Sequence, residues 1–285
     1  MKRLLVAGAS GLVGTHLCEE ATRRGLEVTG AARRVRALAT HALDLTDRAS
    51  IDRVLAEVNP DAVVLCTAWP WVDGCEKDPA RSERENVGTV RNVIEATQGS
   101  KLPLAWFSTD HVFDGTKAAH GESDPVNPMS VYAKHKLAAE RLLLERGHAL
   151  IGRTSYVFGV EADRKNFLYR VLDASRDRTP LKVPVKQGGT PTWAGYLATS
   201  TLELLQRGTE GVLHLVGPEV LSKAEWAKKI ARVLQLPNVE VVETSWAEAG
   251  QVAPRPEVVR LKTERGAPPH PSLDDVLSRL KPRLE

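Results

Sequence analysis

The chain has 285 residues, enough for one large α/β domain or two linked lobes around a sizeable core. Its 39 basic and 36 acidic side chains leave a formal charge of +3, too balanced to argue for a nucleic-acid partner. No apolar run approaches the roughly 18 residues a membrane helix needs, so no membrane partner is expected.

Residues 3–9 read as a buried strand, too short with its flanks for a signal peptide, and residues 12–25 as a helix closed by Gly25. Residues 26–33 form the next strand. A helix over 44–60 begins among acidic and hydroxyl caps, with Asp44 and Thr46 competing for the cap, and ends at Pro60. A continuous apolar strand follows at 61–69, a helix near 83–99, and another strand at 102–110. After a loop rich in Gly, Asp and Pro, a helix is expected from about Asn127 to Gly147, then a strand over 149–159. This alternation implies βαβ crossovers and a Rossmann-like, doubly wound parallel sheet.

Beyond Gly159 the rhythm changes. Residues 162–178 are helical, 179–193 loop-like, 194–208 helical, and 211–217 suit a further strand of the main sheet. An amphipathic helix at 222–234 and Pro-rich stretches at 254–259 and 266–271 complete the chain. The expected organisation is a dinucleotide-binding lobe over 1–157, completed by a strand and helix near 195–217. A smaller, discontinuous substrate lobe covers 158–194 and 218–285, leaving a cleft between them. Cys18, Cys66 and Cys75 lack metal spacing and suit a reducing compartment, so a cytoplasmic protein is expected. The eight histidines show no H-x-x-x-H pair, and no metal site is expected.

Gly8, Gly11 and Gly14 stand in G-x-x-G-x-x-G spacing between the first strand and the first helix. Glycine permits the tight turn and lets backbone N–H groups approach a pyrophosphate at the positive end of the helix, with Ser10 as an added donor. Dinucleotide sites for NAD place an acid about 20 residues further on. Here that position holds Arg33 and Arg34, suited to a 2′-phosphate, so NADP(H) is preferred over NAD(H). Asp44 is placed to meet the adenine amine.

Tyr132 and Lys136 lie one helical turn apart and leave the same face. With a hydride donor bound upstream, they pair an acid with the cation that lowers its pKa. Ser108, Asp110 and His111 suggest a hydrolase triad, but adjacent strand residues point to opposite faces and no G-x-S-x-G elbow is present.

With these pieces placed, the chain resembles an extended short-chain dehydrogenase/reductase, and more closely the dTDP-4-dehydrorhamnose reductase family of sugar-nucleotide enzymes. The resemblance rests on GASGLVG, NPDAVVLCTAWPWVDGCEKDP, NVGT, FSTDHVFDGTK, NPMSVYAKHKLAAE, RTSYVFG and QGGTPTW. It implies NADPH-dependent reduction of a keto-deoxysugar nucleotide, with Tyr132 as proton donor, Thr109 polarising the carbonyl, Lys136 also on the nicotinamide ribose, and Asn86 supporting the site. Expected cofactor contacts are Gly8, Ser10, Gly11, Leu12, Val13, Gly14, Arg33, Arg34, Asp44, Leu45, Thr67, Ala68, Tyr132 and Lys136. Expected substrate contacts are Trp69, Val72, Asp73, His111, Tyr156 and Gln187. Many relatives are dimers, so a homodimer is compatible with the resemblance.

The departures from the family pattern sit on the substrate side. His111 replaces a common tyrosine, Tyr156 a common tryptophan, and Lys186 an acid, while Trp69, Pro70 and Trp71 replace a small polar loop. The expectation is a retained reductase mechanism on a changed substrate. Alternatives are an epimerase, a reductase of another carbonyl compound, or a non-catalytic NADP-binding regulatory subunit.

Overall fold

The computed structural model describes residues 1–284. In chain order the first half comprises β1 (Arg3–Ala7), α1 (Leu12–Arg23), β2 (Glu27–Ala32), β3 (His41–Ala42), α2 (Arg48–Val58) and β4 (Ala62–Leu65). Then follow α3 (Val72–Lys77), α4 (Pro79–Glu83), a π-helical turn (Arg84–Gly88), α5 (Thr89–Ala96), β5 (Leu104–Thr109), α6 (Val131–Arg146) and β6 (Ala149–Thr154). The second half comprises β7 (Val157–Phe158), α7 (Phe167–Asp177), β8 (Leu181–Pro184), β9 (Gly188–Gly189), β10 (Thr192–Trp193), α8 (Ala194–Gln206) and β11 (Gly211–His214). It ends with β12 (Leu221–Ser222), α9 (Lys223–Leu234), β13 (Val241–Thr244) and α10 (Leu273–Leu280).

Seven strands form one sheet in the order β11-β6-β5-β4-β1-β2-β3, and every pairing in it is parallel. The crossover direction reverses between β1 and β4, which opens a crevice at their C-terminal ends where such sheets hold ligands. Apolar runs such as Ala62–Leu65 are buried on both faces because both faces are covered. Leu4, Val6, Leu17, Leu197 and Leu213 share the core on the α1 and α8 side. Leu5, Val63, Trp106, Val93 and Leu143 share the core beneath α2, α5 and α6. A third cluster, with Phe158, Leu168, Trp226, Ile230 and Leu277, gathers α7, α9 and α10.

Three local expectations change. The stretch 179–193, expected as loop, contains β8, β9 and β10, whose partners β13, β12 and β7 lie far away in the chain. Helix α6 begins at Val131 rather than near Asn127, because Ser130 is extended and its hydroxyl accepts from the Ala133 N–H at 3.2 Å. The cap of α2 is Asp47, which accepts from Ala49 N–H. Asp44 instead folds onto Thr46, accepting from its N–H at 2.8 Å and from its hydroxyl at 2.7 Å. Among the described residues no helix is long and apolar enough to cross a membrane.

Candidate active site

The glycine turn leaves β1 with Gly8 at φ +91°, a conformation glycine adopts without steric cost. A methyl group on Gly14 would collide with the Gly8 carbonyl, so Gly14 serves the close packing of α1 on β1. At the N-cap of α1, Gly11 offers no side chain to the first-turn N–H groups. Those of Leu12 and Val13 have no carbonyl within the helix to meet, which suits an anion. Beside this turn lies a cavity of about 640 Å³ lined by Gly8, Ser10, Gly11, Arg33, Arg34, Asp44, Leu45, Thr67 and Ala68, nine of the expected cofactor contacts.

The residues at its far end were not all foreseen. Arg33 donates to Glu85 at 2.8 and 3.4 Å, while Arg36 pairs with Asp163 at 3.0 Å. Arg34 forms no ion pair among the described residues, leaving its guanidinium available to a 2′-phosphate. Glu85 and Asp163 carry no spacing signal; only the fold brings them to this rim. The cavity, the uncapped helix and the arginines fit a dinucleotide with a phosphorylated ribose.

At the C-terminal end of β5 stand Thr109 and the carboxylate of Asp110, both buried. Asp110 accepts from Ser155 Oγ at 2.6 Å and from Thr109 Oγ1 at 3.2 Å, which fixes the threonine rotamer. Tyr132 and Lys136, on the buried face of α6, approach from the side. Burial holds the Tyr132 phenol above its ordinary range, with Asp110 and Cys75 adding to the rise and Thr109 opposing it. The expected lowering by Lys136 is therefore not what the geometry produces. Lys136 Nζ turns to the strand, donating to the Phe107 carbonyl at 2.6 Å and lying 3.7 Å from the centre of the Trp106 ring. Its own pKa is lowered to about 7, chiefly by burial, with Glu140 opposing.

The expected substrate residues divide. His111 sits edge-on to Tyr132, ring centres 6.5 Å apart, and burial lowers its pKa against the pull of Asp110, so it is neutral near pH 7. Tyr156 has φ +41°, a strained conformation for an aromatic residue and one found at ligand sites. Trp69 and Trp71 meet edge to face at 6.3 Å, and Trp71 is 57% exposed, so the pair forms a rim rather than core. Val72 opens α3 behind them.

Asp73 and Gln187 are bound to other parts of the chain. Asp73 Oδ1 accepts from the N–H groups of Val252 and Ala253 and from Arg255 Nη2 at 2.8, 2.9 and 2.6 Å, and Gln187 pairs with Gln251. Asn86, on the π-helical turn, accepts from Trp69 N–H at 2.9 Å and donates to Trp69 O at 3.2 Å. It thereby holds the loop that carries Thr67, Ala68 and Trp69. Ser108, Asp110 and His111 form no relay: the Ser108 hydroxyl is buried without a partner. Burial pushes the Cys18 thiol up to about 12, which leaves it inert as a nucleophile at neutral pH.

A doubly wound sheet with a glycine turn at its crevice and a Thr–Tyr–Lys set beside it defines an NAD(P)-dependent oxidoreductase of the short-chain dehydrogenase/reductase type. More closely, the chain belongs to the family described as RmlD substrate binding domain, whose model matches residues 1–268. It is 34% identical over 224 residues to a dTDP-4-dehydrorhamnose reductase of Burkholderia thailandensis, covering 75% of this chain and 72% of that protein. It is 29% identical to the probable low-salt glycan biosynthesis reductase Agl14 of Haloferax volcanii, over 97% of this chain and 96% of the relative. A crystal structure of dTDP-4-dehydrorhamnose reductase from Bacillus anthracis in complex with NADP superposes with a TM-score of 0.90 at 27% identity. That match covers 99% of this chain and 100% of the other.

Proposed function

We propose that this protein uses NADPH to reduce the keto group of a nucleotide-activated deoxysugar, with dTDP-4-dehydrorhamnose as the leading candidate substrate. The observation that carries the reading is Thr109 at the end of β5 with Tyr132 and Lys136 on the buried face of α6, in a chain whose glycine turn lines a dinucleotide-sized cavity and which the family model matches from residue 1 to 268. The names of the relatives, and the NADP in the Bacillus anthracis structure, support both substrate class and cofactor.

NADPH supplies the hydride for the carbonyl carbon. The residues supply the rest. Tyr132 gives its proton to the carbonyl oxygen, and its raised pKa keeps that proton in place at neutral pH. Thr109, whose hydroxyl rests on Asp110, turns its one O–H from that carboxylate to the same oxygen and stabilises the charge that develops there. Lys136 donates to the nicotinamide ribose, while Arg34 and Arg33 take the 2′-phosphate. Residues 158–194 and 218–285 provide the substrate lobe, with Tyr156 and His111 against the sugar.

The test is NADPH oxidation by the purified protein against a panel of 4-keto-6-deoxysugar nucleotides. The panel extends beyond dTDP-4-dehydrorhamnose because His111 and Tyr156 depart from the family pattern. At least one member should be turned over, and Tyr132→Phe should lower its rate roughly 100-fold or more while NADPH still binds. Turnover by Tyr132→Phe at the wild-type rate would remove Tyr132 as the acid.

A further inference from the structure

A chain of hydrogen bonds runs from α6 back to the dinucleotide crevice, and its outer end is His135. Asn86 accepts from the Trp69 N–H through Oδ1 at 2.9 Å, which assigns the orientation of its amide. The two hydrogens on Nδ2 then go to the Trp69 carbonyl at 3.2 Å and to Ser82 Oγ at 3.3 Å. Ser82 is fully buried on α4, and its Oγ lies 2.8 Å from Nδ1 of the half-buried His135. Having accepted from Asn86, the Ser82 hydroxyl has one hydrogen to give, and Nδ1 receives it. The Cys75 sulfur also adjoins Ser82 but is the weaker acceptor. His135 therefore carries its own proton on Nε2.

The inner end of this chain bears on the cofactor. Thr67 and Ala68, directly before Trp69, line the dinucleotide cavity. Residues 66–71 belong to no helix or strand, so their course depends on bonds such as those from Asn86. A proton added at Nδ1 of His135 would turn the acceptor into a donor. Two donors would then point at Ser82 Oγ, and its own hydrogen would be left with the sulfur alone. Burial lowers the His135 pKa, against the pull of Glu83 of α4, so Nδ1 is open to accept at neutral pH. Glu83 is itself paired with Arg91. Around it, Glu76 of α3 is taken by the Val131 N–H, Glu85 by Arg33 and Lys136 by the Phe107 carbonyl. Arg81 lies over the Trp69 ring at 4.3 Å, and Arg84 and Lys134 are exposed.

We infer that His135 is a positioning residue for the cofactor: its neutral Nδ1 receives the Ser82 hydroxyl and, through Ser82 and Asn86, holds residues 67–69 in the course that binds NADPH. Cofactor binding then favours the neutral imidazole. NADPH affinity gains a component that is full above the ordinary histidine value of 6.5 and fades as pH falls through the lower value in the folded protein.

The experiment is fluorescence titration with NADPH at about pH 7.5 and about pH 5, for wild type, His135→Leu and His135→Asn. Asparagine puts an oxygen that does not titrate near the place of Nδ1, whereas leucine offers no acceptor. At the higher pH, His135→Asn should match wild type within about two-fold, and His135→Leu should bind roughly 3- to 10-fold more weakly. At the lower pH, wild type should fall toward His135→Leu while His135→Asn stays ahead of both by roughly that factor, 3- to 10-fold. The cofactor 2′-phosphate and the other histidines titrate in the same range, but they do so in all three proteins alike. Three results would each overturn the assignment: equal affinity of His135→Leu and wild type at the higher pH, His135→Asn no tighter than His135→Leu, or parallel pH profiles of wild type and His135→Asn. Were His135→Leu to misfold and bind nothing, the comparison of wild type with His135→Asn decides alone. NADPH binding needs no sugar nucleotide, so the outcome is independent of the substrate reading.

Discussion

Lys136 carries the clearest consequence of burial at a single residue. With its pKa lowered to about 7 by desolvation, the amine is largely neutral above that pH. A dinucleotide brings phosphates and ribose oxygens that favour the ammonium. Binding should therefore take up protons, approaching about one per site between roughly pH 8 and 9, between the depressed value and the ordinary lysine range. Calorimetry of NADP binding in buffers of differing ionisation enthalpy measures the uptake, and Lys136→Met should abolish it. Equal uptake in both proteins would assign the proton elsewhere. At the other end of the cofactor, Arg33 is held by Glu85 while Arg34 has no such partner among the described residues. Arg34→Ala should weaken NADPH roughly 10- to 100-fold and NADH only a few-fold. A similar loss for both cofactors, read by fluorescence titration, would mean that Arg34 does not meet the 2′-phosphate.

Among the elements, the π-helical turn Arg84–Gly88 does two jobs from consecutive residues. Glu85 steadies Arg33 at the adenosine end, and Asn86 clamps both backbone groups of Trp69. A regular α-turn would place these neighbours differently, and such turns are frequent at functional sites. Asn86→Ala leaves the Trp69 N–H without its partner, while the Trp69 carbonyl keeps only the Cys75 thiol, and should cost about 1–3 kcal/mol of stability. It should also raise the KM for substrate, since Trp69 and Trp71 rim the cleft; an unchanged urea midpoint and KM would show the loop holds itself. Where function follows local spacing, the sequence was readable: the glycine turn and the Tyr132–Lys136 helix face are each set within one or two turns of chain. The π-turn was not, because the stretch reads as ordinary amphipathic helix. Nor were β8, β9 and β10, short segments that become strands only against partners elsewhere in the chain.

At the scale of the whole molecule, the long separations matter most, and a single sequence hides them. Nothing near Arg255 in the chain names Asp73, 182 residues away, as its partner. Asp73, at the start of α3 below the sheet's crevice, ties that side to the loop 252–255 of the C-terminal half through three hydrogen bonds to one oxygen. The Asp73 and Arg255 side chains are 13% and 8% exposed, so removing one partner leaves the other charge poorly solvated, at a cost of about 3 kcal/mol. Burial pushes the Asp73 pKa up, but the two amides and Arg255 outweigh it and the net shift is downward. A carboxylate with a depressed pKa stabilises the fold fully above its unfolded value and loses that contribution as pH falls through the folded one. The stability difference between wild type and Asp73→Asn, from urea midpoints, should therefore be full above about pH 5 and shrink steadily below about pH 4. A difference constant down to pH 3 would show that packing, not charge, holds this tie. In that case the orientation of Arg255 would owe nothing to the ion pair.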